Sequence, residues 1–188
     1  MQWKKLCQQR YSFLHVISPT FPNSVPSPKL QAEWKMVILH DGTEVKFQCR
    51  DIVALAIDLF FDPAFEGTVP GRHEPCTTKG QRVYGEVFSG ERVRHLSEEI
   101  PACGTLLGII GYTDGTNLSD NGRQTALPLY VSLANHPESF RKKAAGRRLV
   151  VYIPQLSGDG EAQRRKQLEL YHKVLRVALA PLRSLQMK

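Results

Sequence analysis

The chain has 188 residues, 41% of them hydrophobic, enough for one ordinary core with an extension and too few for two independent full-sized domains. Its net charge of +7 is lopsided: residues 1–137 carry 13 Lys/Arg against 14 Asp/Glu, and residues 138–188 carry 12 against 4. A basic block of this kind suits a polyanion such as nucleic acid, or else a solvated helix face.

The opening MQWKKLCQQRYSFLHVISPT has early lysines but lacks the continuous apolar stretch of a secretory signal. Four prolines between Pro19 and Pro28 make residues 1–30 read as a flexible, extended arm. EWKMVILHDGTEVKFQC then reads as a hairpin about Asp41-Gly42, with Trp34, Met36, Ile38 and Phe47 as its apolar contacts. RDIVALAIDLFFDPAF predicts a short helix. Ile52, Leu55, Ile57, Leu59 and Phe60 cover one broad face, Asp51, Ala54, Asp58 and Asp62 fall on the other, and Pro63 stops it. This longest apolar run is far short of the ~20 residues that cross a bilayer, so a soluble protein with no membrane partner is expected.

Residues 66–82, EGTVPGRHEPCTTKGQR, have loop composition. His73 and Cys76 form an HxxC pair, but a zinc site needs about four ligands and no second half is evident. Cys7, Cys49, Cys76 and Cys103 contain no CxxC pair, the inventory of a reduced, intracellular protein. A helix is expected near Glu91, closing a small β-β-α region over residues 31–100.

After Pro101 the texture turns to β, opening a second region over residues 101–188. GTLLGIIGYTD is a nearly continuous apolar run, as for a strand buried on both faces, and it stops on Asp114-Gly115, ordinary turn chemistry. ALPLYVSLAN, with Pro128 near its start or on an edge, and RRLVVYIPQL are two further strands. Three successive strands suggest an antiparallel meander. GDGEAQRRKQLELYHKVLRVALAPL is a long amphipathic helix capped by Asp159, with Leu168, Tyr171, Leu175, Ala178 and Leu179 as its buried stripe and Pro181 bending or ending it. The fold class is therefore α/β (α+β). A three-stranded meander plus a long helix, behind the β-β-α region, looks like the front half of an RNase H-like fold, and such a partial sheet is expected to leave an edge open to self-association or pairing with another chain.

Asp114 then acquires a second meaning. Two-metal nucleases place a first carboxylate on a rigid, buried strand, because loosely held ligands lose the in-line geometry. The order CRDIVALAIDLFFDPAF, RVYGEVFSGE, the block from IPACG through LPLYVSLANHPESFRKKAAGRRLVVYIPQL, and LYHKVLRVALAPL resembles the Plavaka-type transposases, relatives of the CACTA DNA transposons, over residues 34–183.

The resemblance implies a DDE/D-type, Mg²⁺-dependent recombinase that nicks transposon ends and joins the freed 3′-hydroxyl to target DNA, and, in a eukaryote, a nuclear location. It implies that Asp114 is the first catalytic carboxylate and metal ligand. The family's further acids are expected beyond the long helix, so Mg²⁺ binding needs residues outside this chain and catalysis is not expected from it alone. Gly115 and Asn117 stand where the family commonly has Lys and Gln.

Asp120, Glu138 and Asp159 are the nearest internal acids, with loop, pairing with Arg141, and capping as their expected roles. Arg141, Lys142, Lys143, Arg147, Arg148, Arg164, Arg165 and Lys166 are expected to meet DNA phosphates, with Phe140 and Tyr152 in the core. The alternative is a non-catalytic nucleic-acid-binding or protein-interaction domain derived from a transposase.

Overall fold

A strand buried on both faces needs ladder partners on both edges, because its N–H and C=O groups cannot reach water. A computed structural model, describing residues 10–17, 33–40, 44–102, 104–117, 125–158 and 160–185, supplies those partners. The elements are β1 (Arg10–Ile17), β2 (Lys35–His40), β3 (Glu44–Cys49), α1 (Ile52–Phe60), β4 (Cys76–Thr78), β5 (Gln81–Val83), α2 (Glu91–Glu99), β6 (Thr105–Thr113), β7 (Thr116–Asn117), β8 (Thr125–Leu133), α3 (Glu138–Arg141), β9 (Arg148–Ile153), α4 (Glu161–Ala178) and α5 (Ala180–Leu185). The fold is α+β.

β6, β8 and β9 form the expected antiparallel meander inside a larger sheet of order β1-β6-β8-β9-β3-β2. β1 runs antiparallel to β6 from Arg10–Tyr112 to Ile17–Thr105. The β2–β3 hairpin joins the far side through Cys49 and Val151, and the Arg50 N–H donates to the Val150 carbonyl at 2.9 Å. Residues 10–17, inside the segment that composition marks as an arm, are thus a strand, while 18–32 lie outside the described residues. β6 and β9 each have partners on both sides, so the outer strands are β1 and β2.

One face of the sheet carries α1, α4 and α5. Leu107, Ile109, Leu129, Val131 and Val151 pack there with Leu55, Leu59, Leu170, Val174 and Leu182. Asp51 caps α1, its Oδ1 accepting from the N–H of Val53 (2.8 Å) and Ala54 (3.1 Å). Along α4 the row through Leu170, Val174 and Ala178 faces the sheet, leaving Leu168 exposed where the sequence suggested burial. α4 starts from Gly160 (φ 97°) without a side-chain cap, and Asp159 lies outside the described residues. α4 ends at Ala178 and α5 follows, as Pro181 led us to expect.

On β2 the expected face is reversed. Val37 and Leu39 pack on the main cluster, so Met36 and Ile38 point away and are exposed; of the four expected contacts only Phe47 is buried. Residues 76–83, expected as loop, form a β4–β5 hairpin whose turn residues Lys79 (φ 52°) and Gly80 (φ 77°) are both left-handed, the geometry a two-residue hairpin favours.

Among the described residues the opposite face is covered near the start of β6, where Phe88, Val93, Leu96 and Ile100 pack on Leu106 and Ala134. Here the β6–β8 approach is close: a Cβ on Gly108 would meet that of Ala134 at 2.8 Å. β8 ends at Leu133, and the buried amide of Asn135 extends its ladder. Its Oδ1 accepts from the Gly108 N–H (2.9 Å), and its Nδ2 donates to the carbonyls of Leu106 (2.8 Å) and Pro70 (2.6 Å). Asn135→Ala strands these groups in a dry site, and a loss of about 3 kcal/mol is expected. The check is a lower urea midpoint at unchanged m-value. A loss under about 1 kcal/mol would mean that the amide is not what closes this end of the sheet.

Candidate metal-ligand position and basic surface

Asp114 follows directly on β6 and is exposed, at the opposite end of that strand from Asn135. Thr113 before it is buried, its hydroxyl 3.3 Å from that of Tyr171 on α4, so the chain is anchored one residue before the acid. The β6–β8 ladder stops at Thr113–Leu129 and resumes in the same register at Thr116–Ala126 on β7. Asp114 therefore falls opposite Pro128, which has no N–H to donate. Pro128 accounts for a two-residue gap in pairing, not a reversal of the chain. Gly115 is not left-handed and a Cβ there would meet open space, so the expected turn at Gly115 gives way to a local opening.

Among the described residues no three His, Cys, Asp or Glu side chains gather in a way that could hold a metal ion. Asp120 lies outside the described residues, as does Asp159. Glu138 follows the end of β8, where the Ala134 N–H reaches the Gly108 carbonyl at 2.7 Å. Six strand residues separate Gly108 from Asp114, or ~20 Å, too far for Glu138 to share an ion with it. Glu138 pairs with Lys142 at 3.0 Å, and Arg141 pairs with Glu86 at 2.9 Å. The His73 ring lies 3.4 Å from the Ser89 carbonyl, Cys76 is exposed and free, and among the described residues no group of ligands gathers about them. Mg²⁺ takes oxygen ligands and retains waters, using one or two carboxylates. Asp114 fits as one such ligand, and the described residues supply no second.

The basic set divides into committed and free cations. Arg148 is committed: it donates to Asp58 (2.7 Å), to Asp62 and to the Ala145 carbonyl, tying β9 to α1. Burial works against its charge, but the two carboxylates more than offset this and hold its pKa above the ordinary arginine value. Arg141 is largely buried, bonded to the His136 carbonyl and paired with Glu86 at 2.9 Å. Lys142 and Arg165 make exposed i,i+4 pairs with Glu138 and Glu161. Lys143, Arg147, Arg164 and Lys166 are exposed and have no acidic partner among the described residues. Phe140 is buried as expected, whereas Tyr152 is not in the core.

A model of the family described as Plavaka transposase matches residues 27–188. The chain belongs to the Plavaka transposase family. No match was found among curated proteins or among solved structures. No described helix is long and apolar enough to cross a membrane.

Within this Plavaka chain a second polar site escaped sequence reasoning. His136 is buried, its ring 4.6 Å from that of Phe65 and 4.9 Å from that of Phe140, and neither ring nitrogen has a hydrogen-bond partner among the described residues. Burial depresses its pKa, the Asp62 carboxylate opposes this, and Arg141 and Arg148 reinforce it. Beside it lies a cavity of about 610 Å³ whose lining includes Glu66, Glu74 and Glu86, a poor setting for a phosphate backbone. The only sequence signal was the HP pair closing LANHP, which carries no periodicity.

Because the folded-state pKa of His136 is lowered, the unfolded chain takes up its proton first as pH falls. The stability that depends on neutral His136 is complete above about pH 6.5 and is lost below it. His136→Phe, which keeps a ring between Phe65 and Phe140, is expected to flatten urea midpoints between about pH 5 and 7 relative to the parent. An unchanged slope would assign the acid sensitivity elsewhere.

Proposed function

We propose that this chain is the portion of a DDE/D DNA transposase that carries the first catalytic carboxylate, Asp114, on an RNase H-like sheet. Membership of the Plavaka transposase family is the observation that carries this reading. It is supported by the position of Asp114, an exposed carboxylate at the end of a strand whose helix-facing side is buried, followed in the chain by two further strands of the meander and a long helix. When bound, Mg²⁺ would activate a nucleophile and stabilise a leaving oxygen. What this chain contributes is one oxygen ligand held in place by the Thr113 anchor and freed from the ladder by Pro128. With no second ligand beside it among the described residues, we assign it no nicking activity on its own.

DNA contact in this reading falls to the free cations Lys143, Arg147, Arg164 and Lys166. Such contacts bind without base preference and weaken steeply with salt. Arg141 and Arg148 serve the fold.

A Mn²⁺ titration followed by NMR tests the ligand role without requiring activity. Backbone amides of residues 113–116 are expected to broaden at millimolar Mn²⁺, a weak site of one carboxylate, and the effect should vanish in Asp114→Asn. Broadening that is absent, or that survives the substitution, would remove Asp114 from metal binding. The non-catalytic alternative then holds, with salt-sensitive DNA binding indifferent to chelators.

A further inference from the structure

Among the described residues nothing packs over the middle strands on the sheet face turned away from α1, α4 and α5, and that surface carries aromatic side chains. Tyr112 of β6 and Tyr130 of β8 are direct cross-strand partners with stacked rings, 5.5 Å between centroids at 23°. Tyr152 of β9, paired with Pro128, is 48% exposed. The neighbours fix the side: Thr113 reaches Tyr171 on α4 and Val151 packs in the helix-side cluster, so the tyrosines beside them face the other way. Beyond β9, Met36 and Trp34 are also exposed.

The charge accompanying these rings is positive. Arg147 places Nη1 3.5 Å from the Tyr112 hydroxyl and has no carboxylate partner among the described residues. Arg50 lies 4.7 Å over the Trp34 ring. Asp114 follows Tyr112 by two residues and stands opposite Pro128, so this surface borders the candidate ligand.

We infer that this face is a stacking platform for single-stranded DNA, laid beside Asp114. The exposed rings of Tyr152 and Trp34, with the half-buried Tyr112 and Tyr130 between arginines, match a polyanion whose flat bases are free to stack. A duplex hides its base faces and would use only the cations. A second copy of this chain would set Arg147 and Arg50 against their own like charge. The inference rests on the DNA-transposase reading and names the form of DNA held next to its first acid.

Fluorescence anisotropy of the full chain with a labelled oligothymidylate of about twelve nucleotides, and with a duplex of equal length, tests it. Tyr152→Ala is expected to weaken oligothymidylate binding about tenfold, and Tyr152→Phe to leave it within about twofold. Arg147→Gln should weaken it and flatten its salt dependence by about one unit of slope. Duplex affinity should change less than about twofold in Tyr152→Ala. Both positions are exposed, and matching urea midpoints confirm folding. Wild-type oligothymidylate binding by Tyr152→Ala, equal losses on both DNAs, or a solution dimer that Tyr152→Ala dissociates would each overturn the platform. The metal test reads Asp114, and the stacking test reads Tyr152 and Arg147. Failure of the metal test therefore counts against Asp114, and failure of the stacking test against this surface.

Discussion

Everything in this fold leans on β6. Its run of Leu106, Leu107, Ile109 and their neighbours is buried on both faces, so the backbone between them has only ladder bonds to satisfy it. β1 takes one edge and β8 the other. Where β8 runs out, Asn135 continues the pairing with a side-chain amide. The helices then cover one face, and the α2 region covers only the start of the other. The strand is released at one place, Asp114-Gly115, because Pro128 stands opposite without a donor. A carboxylate that must be both firmly placed and free of the ladder meets those two conditions there.

The excess of positive charge in the last quarter of the chain is not one surface. Arg148 is held by two acids, Asp58 within α1 and Asp62 two residues past its last turn. Removing one member of such a partly buried group leaves the others unpaired, so Arg148 belongs to the packing of β9 on α1. Arg141 belongs to the loop at the opposite end of the sheet from Asp114, joined to Glu86. The cations left over include Arg147, beside Tyr112 on the face turned away from α1, α4 and α5. Division of labour among residues of one type is thus decided by partners distant in sequence.

That distance marks what the sequence made legible. Local patterns were read well: α1, the onset of α2 at Glu91, the three meander strands and the break before Pro181 each depend on residues within one or two turns. The position of Asp114 at the end of a buried strand was legible for the same reason. The face of β2 was misread because its residues alternate between apolar side chains of similar size, so period two offers no contrast between Val37 and Met36. β1 was hidden among proline-rich neighbours, and its pairing with β6 spans most of the chain. The Arg148–Asp58–Asp62 group and the dry site of His136 have no local signature at all. The gap opposite Pro128 needed the register, which sequence alone does not give.

The central claim is that β6 is the rigid support of an acid set free at its end. Native-state hydrogen exchange measures this directly. The account predicts that amides of Leu107–Thr113 exchange only through global unfolding, while those of Asp114 and Gly115 exchange orders of magnitude faster. Exchange of β6 amides at loop rates, or protection of Asp114 and Gly115 equal to that of Thr113, would contradict it.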